Sequence, residues 1–387
     1  GAQPQIAGCP VFPWNNIWNT RIDQMPVDRG SNDYIATNGD KKSLHPDFGP
    51  SNGIPFDIVP ESQSTVRLKF TYSAESDPGP YPIPDNPHIE KNGDAHVLII
   101  QQGSCRLFEL YAVSLAEGTV RAAGSGAIFE MRANKLRPSG WTSADAAGLP
   151  VFAGLVRYDE VASGEIRHAL RLSAPLVRMG YVWPARHAAS KLTGAENPPL
   201  GMRFRLKADY DISGFLPENQ VILTALKRYG AILADTGSAW FISGAPDQRW
   251  DNDRLSELKR VLGSDLEAVD TSSLMLNSDS AQVLPPVIPV SSTMGYSPSP
   301  TFDLAAGATQ RLVLTGDVTN STTSNLSEGQ TVTFLICQDE AGGHAFQWPE
   351  NTLGGMRIGQ APGKCSAQQF VVSGKFLYAT SPGVADM

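Results

Sequence analysis

Four of the chain's six histidines lie in sharply patterned segments: His45, His96, His168 and His187. In GDAHVLII, Asp94 and His96 stand two apart, a spacing that puts both on one face of a strand. Glu109 in RLFELYA and His168 in EIRHALRL interrupt apolar runs in the same way, and a polar group in apolar surroundings requires a partner. If these strands pair, Asp94, His96, Glu109 and His168 converge on one concave sheet face. Such a set supplies a general acid and base for glycoside hydrolysis or sugar β-elimination. His96, Glu109 and His168 also form a donor set for a divalent metal, the one cofactor the sequence suggests. The competing reading is that each histidine is a buried hydrogen-bonding residue of the core.

A second set lies in AESDPGPYPIP, where Glu75, Asp77 and Tyr81 sit on a rigid Pro/Gly loop. Carboxylates beside an aromatic are what a sugar subsite needs, since hydroxyls bond the acids and the ring stacks on the aromatic. Trp141, Arg186 and His187 are further substrate-binding candidates, and Trp14, Trp18 and Trp183 could extend a stacking platform. There is no GxSxG elbow, P-loop or HExxH. The glycines of GSGAIF lack the following helix that a dinucleotide site demands.

The elements that must position these residues read mainly as strands. STVRLKFTYS, AHVLIIQQ, CRLFELYAVS, TVRAAGSGAIFEM, EIRHALRLSA and MRFRLKA follow one another without intervening helices, which favours antiparallel pairing. The expected fold is mainly β with a few helices: a two-sheet antiparallel sandwich or jelly-roll-like large domain, followed by a small C-terminal β-sandwich. CPVFPWNNIWNT has no regular period and reads as a strap over a sheet. Pro217 to Asp235 reads as a helix with Val221, Ile222, Ala225, Leu226, Tyr229, Ile232 and Leu233 on one face, Pro suiting its first turn. A shorter helix is expected from Asp251 to Leu262, capped by Asp251 or Asn252 and stopped by Gly263, and SAWFISG reads as a strand.

Composition bounds the rest. With 36 Gly and 29 Pro in 387 residues, the chain is rich in turns, and the length favours two domains. LPPVIPVSSTMGYSPSP reads as a linker, dividing the chain into a large functional domain over residues 1–284, a Pro/Ser linker over 285–300 and an accessory β module over 301–387. The four cysteines divide accordingly, which predicts the bridges Cys9–Cys105 and Cys337–Cys365 and an oxidising exterior. A formal net charge of -8 argues against nucleic acid as a partner, and no apolar run is long enough to insert in a membrane as a helix. The opening GAQPQ has neither basic nor apolar signal regions, so any export signal is expected to have been removed or to lie outside this sequence. Asn320 and Asn325 match glycan-acceptor patterns.

CPVFPWNNIWN, LHPDFG, ESDPGPYPIP, GDAHVLII, GWTSADAAGLPVFAGLVRYDE, GEIRHAL and VWPARH together resemble a widespread family of secreted soil-bacterial proteins with no established activity. The resemblance covers residues 8–280 and transfers no catalytic residue. TFDLAAG, FLICQDEAGGHAFQWPE, GGMRIG and CSAQQF resemble a β module appended to many exported proteins. The resulting expectation is a secreted or cell-surface enzyme acting on an extracellular polysaccharide, as hydrolase or lyase. The alternatives are a non-catalytic carbohydrate-binding or adhesion protein and a structural or filament subunit.

Overall fold

The run VLIIQ forms the strand Val97–Gln101, in which every residue is buried because alternate side chains enter different cores. Leu98 and Ile100 join the main core, whereas Val97 and Ile99 join a smaller one with Val59, Tyr81, Phe108 and Leu110. A computed structural model of the chain describes residues 3–91, 93–283, 292–380 and 382–387. The chain is mainly β with few helices, and it divides into two compact units, Gln3–Leu284 and Pro285–Met387.

Two sheets carry the larger unit. One has four strands in the order Ser125–Glu130, Arg106–Tyr111, Val97–Gln101 and Phe56–Val59. The other has six, in the order Leu266–Val269, Arg203–Leu206, Ala231–Thr236, Leu170–Ala174, Phe241–Ser243 and His45–Asp47. Pairing is mixed rather than purely antiparallel: Leu170–Ala174 runs parallel to Ala231–Thr236, and Phe241–Ser243 parallel to His45–Asp47. Parallel neighbours require a long crossover, and the stretch between the first two contains both the strand Arg203–Leu206 and the helix Pro217–Arg228.

That helix is shorter than its apolar period suggests. Proline opens it and Ile222, Ala225 and Leu226 face inward as expected, but it ends at Arg228. Gly230, at φ +65, takes the left-handed turn that a side chain would resist, and its absent Cβ leaves room for the Phe204 carbonyl. Ile232 and Leu233 therefore belong to a buried strand, not to the helix. The next helix is Asn252–Leu255, capped by Asp251, whose Oδ1 accepts from Asp253 N at 2.9 Å and Arg254 N at 3.2 Å. It continues as the 3-10 turn Ser256–Arg260.

The N-terminal strap is stitched to the six-stranded sheet. Ala169 N donates to the Trp18 carbonyl at 2.7 Å, and buried Arg203 donates to the carbonyls of Ile17 and, at the helix C-terminus, Tyr229. Burial lowers the Arg203 pKa to about 9, and the carbonyls at the negative end of the helix dipole are its hydrogen-bond partners.

In the smaller unit, the strand TVTFLICQ places Val332, Phe334 and Ile336 in a core with Phe302, Leu312, Phe370 and Leu377. Ser292–Met294 pairs with Thr309–Leu314, so part of the expected linker is an edge strand of the module; residues 284–291 lie outside the described ones. Both bridges form as expected, Cys9–Cys105 within the larger unit and Cys337–Cys365 across paired strands of the smaller.

Candidate functional site

The segment WTSADAAGL, residues 141–149, folds around its own polar groups. Asp145 Oδ1 accepts from Ala147 N at 2.9 Å and Leu149 N at 3.1 Å, and Ser143 Oγ donates to the Leu149 carbonyl at 2.6 Å. Two of its carbonyls, those of Ala144 and Ala146, accept from two different histidines.

His187 is the solvent-facing one. Its Nδ1 lies 2.8 Å from the Ala146 carbonyl oxygen, which only accepts, so Nδ1 carries the proton and Nε2 is free for proton exchange. Nε2 stands 3.5 Å from Glu75 Oε2, close enough for charge coupling but not hydrogen-bonded. The Glu75 carboxylate is fixed by Thr142 N at 3.1 Å. The side chains are 26% and 36% exposed, so the pair can meet a ligand. Trp141 stands on the same segment, half-buried, with the Arg137 guanidinium 5.5 Å from its ring centroid.

Behind this pair the predicted substrate-binding residues serve the frame. Asp77 Oδ2 accepts from Ile128 N at 2.8 Å and pairs with Arg137, a guanidinium with 3% exposure. Arg186 is spent on the carbonyls of Arg137 and Ser278 and on Asp279 Oδ1 at 2.6 Å. Tyr81 is fully buried, donates to the Asp77 carbonyl at 2.6 Å, and has its phenol pKa pushed up by burial; it is a core residue rather than a stacking surface. Trp18 is likewise core and Trp183 donates to the Ser280 carbonyl, so no tryptophan platform forms from them.

His96 lies on the other side of the same segment, and it is buried. Its Nε2 faces the Ala144 carbonyl at 2.7 Å and its Nδ1 faces Glu90 Oε2 at 2.5 Å. With acceptors at both nitrogens, the ring satisfies both only as an imidazolium. Burial pulls its pKa down, but the Glu90 hydrogen bond and charge overcome this and raise it. Asp94 is not on the same strand face: Gly93 and Ala95 both have positive φ, the strand begins at Val97, and Asp94 is exposed. Glu109 is fully buried, its two oxygens each accepting at 2.8 Å from Val151 N and Phe152 N. Burial outweighs those bonds and pushes its pKa up to about 7.

On the six-stranded sheet lies a group that the sequence reading missed. Arg171, buried in the strand LRLSA, donates to Asp235 Oδ2 at 2.8 Å and Ser243 Oγ at 2.9 Å. Its Nε stands 3.6 Å from Asp145 Oδ2, and neither atom has a hydrogen-bond partner among the described residues. Burial pushes Asp145 up to about 6, with Arg171 opposing the rise. A charged residue inside an otherwise apolar strand was the available signal.

His168 does not join Asp94, His96 and Glu109. It is fully buried, with Nδ1 2.8 Å from the Ala169 carbonyl and Nε2 3.0 Å from Glu160, whose other oxygen pairs with Arg157. The expected ligand set of His96, Glu109 and His168 is therefore not assembled. Among the described residues no group of three or more His, Cys, Asp or Glu side chains is placed to hold a metal ion.

No family model, no curated protein and no solved structure matches the chain.

Proposed function

We propose that the larger unit is an extracellular enzyme that acts on a polysaccharide by general acid–base chemistry, as a hydrolase or a lyase. The observation that carries the reading is the His187–Glu75 pair: partly exposed and oriented from behind by Ala146 and by Thr142, the residue that follows Trp141. In this reading His187 Nε2 exchanges the proton at the reacting sugar and Glu75 supports the charge that develops there. Trp141 offers a ring face to the sugar. His96–Glu90 and Asp145–Arg171–Asp235 act as the rigid back wall. Two disulfides, with no free cysteine among the described residues, are compatible with an oxidising exterior.

The test is incubation of the protein with a polysaccharide panel, with and without chelator, following reducing ends and the absorbance of unsaturated products. We expect His187→Ala and Glu75→Gln each to lower turnover by at least about 100-fold, the lower end of what a positioned acid or base contributes, with little change in melting temperature. Cleavage that survives His187→Ala would remove the proposed base, and no cleavage of any glycan would overturn the reading.

A further inference from the structure

On one face of the six-stranded sheet the polar line continues past Arg171 toward the edge. Register places Ser173 opposite Phe241, and Phe241 opposite His45, with Ser243 and Asp47 next along the same two strands. Phe241 and His45 are stacked, ring centroids 4.0 Å apart and planes 15° from parallel. Beside them opens a cavity of about 510 Å³ lined by Lys42, Ser43, His45, Ser238 and Phe241, among others.

The polar groups of this lining are uncommitted. Lys42 Nζ, both ring nitrogens of His45 and the hydroxyls of Ser43 and Ser238 have no hydrogen-bond or ion-pair partner among the described residues. Lys42 is held there by the chain: its aliphatic stem lies where a side chain at Gly39 would be, with Cδ 2.7 Å from that missing Cβ, and Gly39 itself takes φ +113 at the end of the helix Ser31–Asn38. Burial lowers the His45 pKa, with Lys259 acting in the same direction and Asp47 opposing it.

We propose that this cavity is a binding subsite for an acidic sugar unit, such as a uronate residue, whose carboxylate meets Lys42 and whose ring lies against the His45–Phe241 stack. The hydroxyls of Ser43 and Ser238 and the His45 nitrogens complement the sugar hydroxyls, and the stacked rings supply the apolar floor that sugar faces favour. The choice of a sugar rests on the polysaccharide reading above; the choice of an anion rests on Lys42 and on the donors that surround the cavity.

The test is titration of the full chain with trigalacturonate, maltotriose and acetate, reading the His45 ring resonances by NMR and the affinity by calorimetry. Saturable shifts at His45 with trigalacturonate, at least about tenfold weaker with maltotriose and lost with acetate alone, are expected. Lys42→Ala, an exposed change, should weaken trigalacturonate binding about tenfold, and His45→Ala should do so with the fold intact by circular dichroism. Equal affinity for maltotriose, no perturbation of His45, or an unaffected Lys42→Ala variant would overturn the subsite. Because binding is read apart from turnover, loss of binding with cleavage intact sinks this inference alone, and binding without cleavage sinks the enzyme reading alone.

Discussion

Glu109→Gln should change how the stability of the larger unit responds to pH. In the folded protein the carboxyl is fully buried and its pKa rises from the ordinary 4.5 to about 7, with burial as the largest cause and the two backbone N–H groups opposing it. Below the unfolded pKa the group is neutral in both states and contributes no pH dependence. As pH rises from 4.5 through 7, the unfolded chain loses the proton first, so the unfolded state is favoured progressively until the folded group also ionises. A pKa raised by that amount corresponds to roughly 3 kcal/mol of stability lost across the interval. Glutamine does not titrate, so the stability of the variant relative to wild type should climb by up to about 3 kcal/mol between pH 4.5 and pH 8, whatever its offset at the acid end. That offset is unfavourable, because one of the Val151 and Phe152 amides loses its acceptor, at about 1 to 3 kcal/mol. Urea unfolding at several pH values, followed by amide exchange in peptides covering Val97–Gln101, measures the difference curve. Parallel curves for the two proteins would mean that Glu109 is ionised throughout and that the two N–H groups outweigh burial.

His168→Ala should lower stability by about 1 to 3 kcal/mol, by removing the ring partner of the half-buried Glu160 Oε2 and of the Ala169 carbonyl, while any glycan-cleaving activity survives; lost activity with unchanged stability would return His168 to the chemistry. Removing the bridges by paired Cys→Ala changes should cost about 4.7 kcal/mol for Cys9–Cys105 and about 3.6 kcal/mol for Cys337–Cys365 on the chain-entropy account. The smaller unit should nevertheless show the larger fall in melting temperature, because its unfolding entropy is smaller. Calorimetry that finds the reverse order would contradict that account.

Much of the frame was legible because it depends on local signals. The unbroken apolar run of VLIIQ and the alternation in TVTFLICQ mark strands, Pro217 and Asp251 mark helix starts, and the division of the cysteines between two compact units gives their pairing. The end of the long helix was hidden because AILAD satisfies a helical period as well as a buried strand, and only Gly230 separates the two. Parallel pairing was hidden because it depends on which distant strands meet. At the site, His187 and Glu75 were visible as residue types, but their meeting depends on the 141–149 segment, whose carbonyls hold both histidines. The spacing of Asp94 and His96 implied a shared face that the positive φ of Ala95 abolishes. The grouping of Arg171, Asp145 and Asp235 went unnoticed because each is a single polar residue whose role is set by the others.

The order of strands in the six-stranded sheet also dictates when it can be completed. His45–Asp47, near the start of the chain, finds its neighbour only in Phe241–Ser243, and the opposite edge is closed by Leu266–Val269. During synthesis the early strand must wait for nearly the whole unit to emerge, so this sheet cannot assemble progressively from the N-terminus. Contacts of such high sequence separation slow folding and leave an unpaired edge exposed in the interval. The stacked rings of His45 and Phe241 should therefore be among the last native contacts to form.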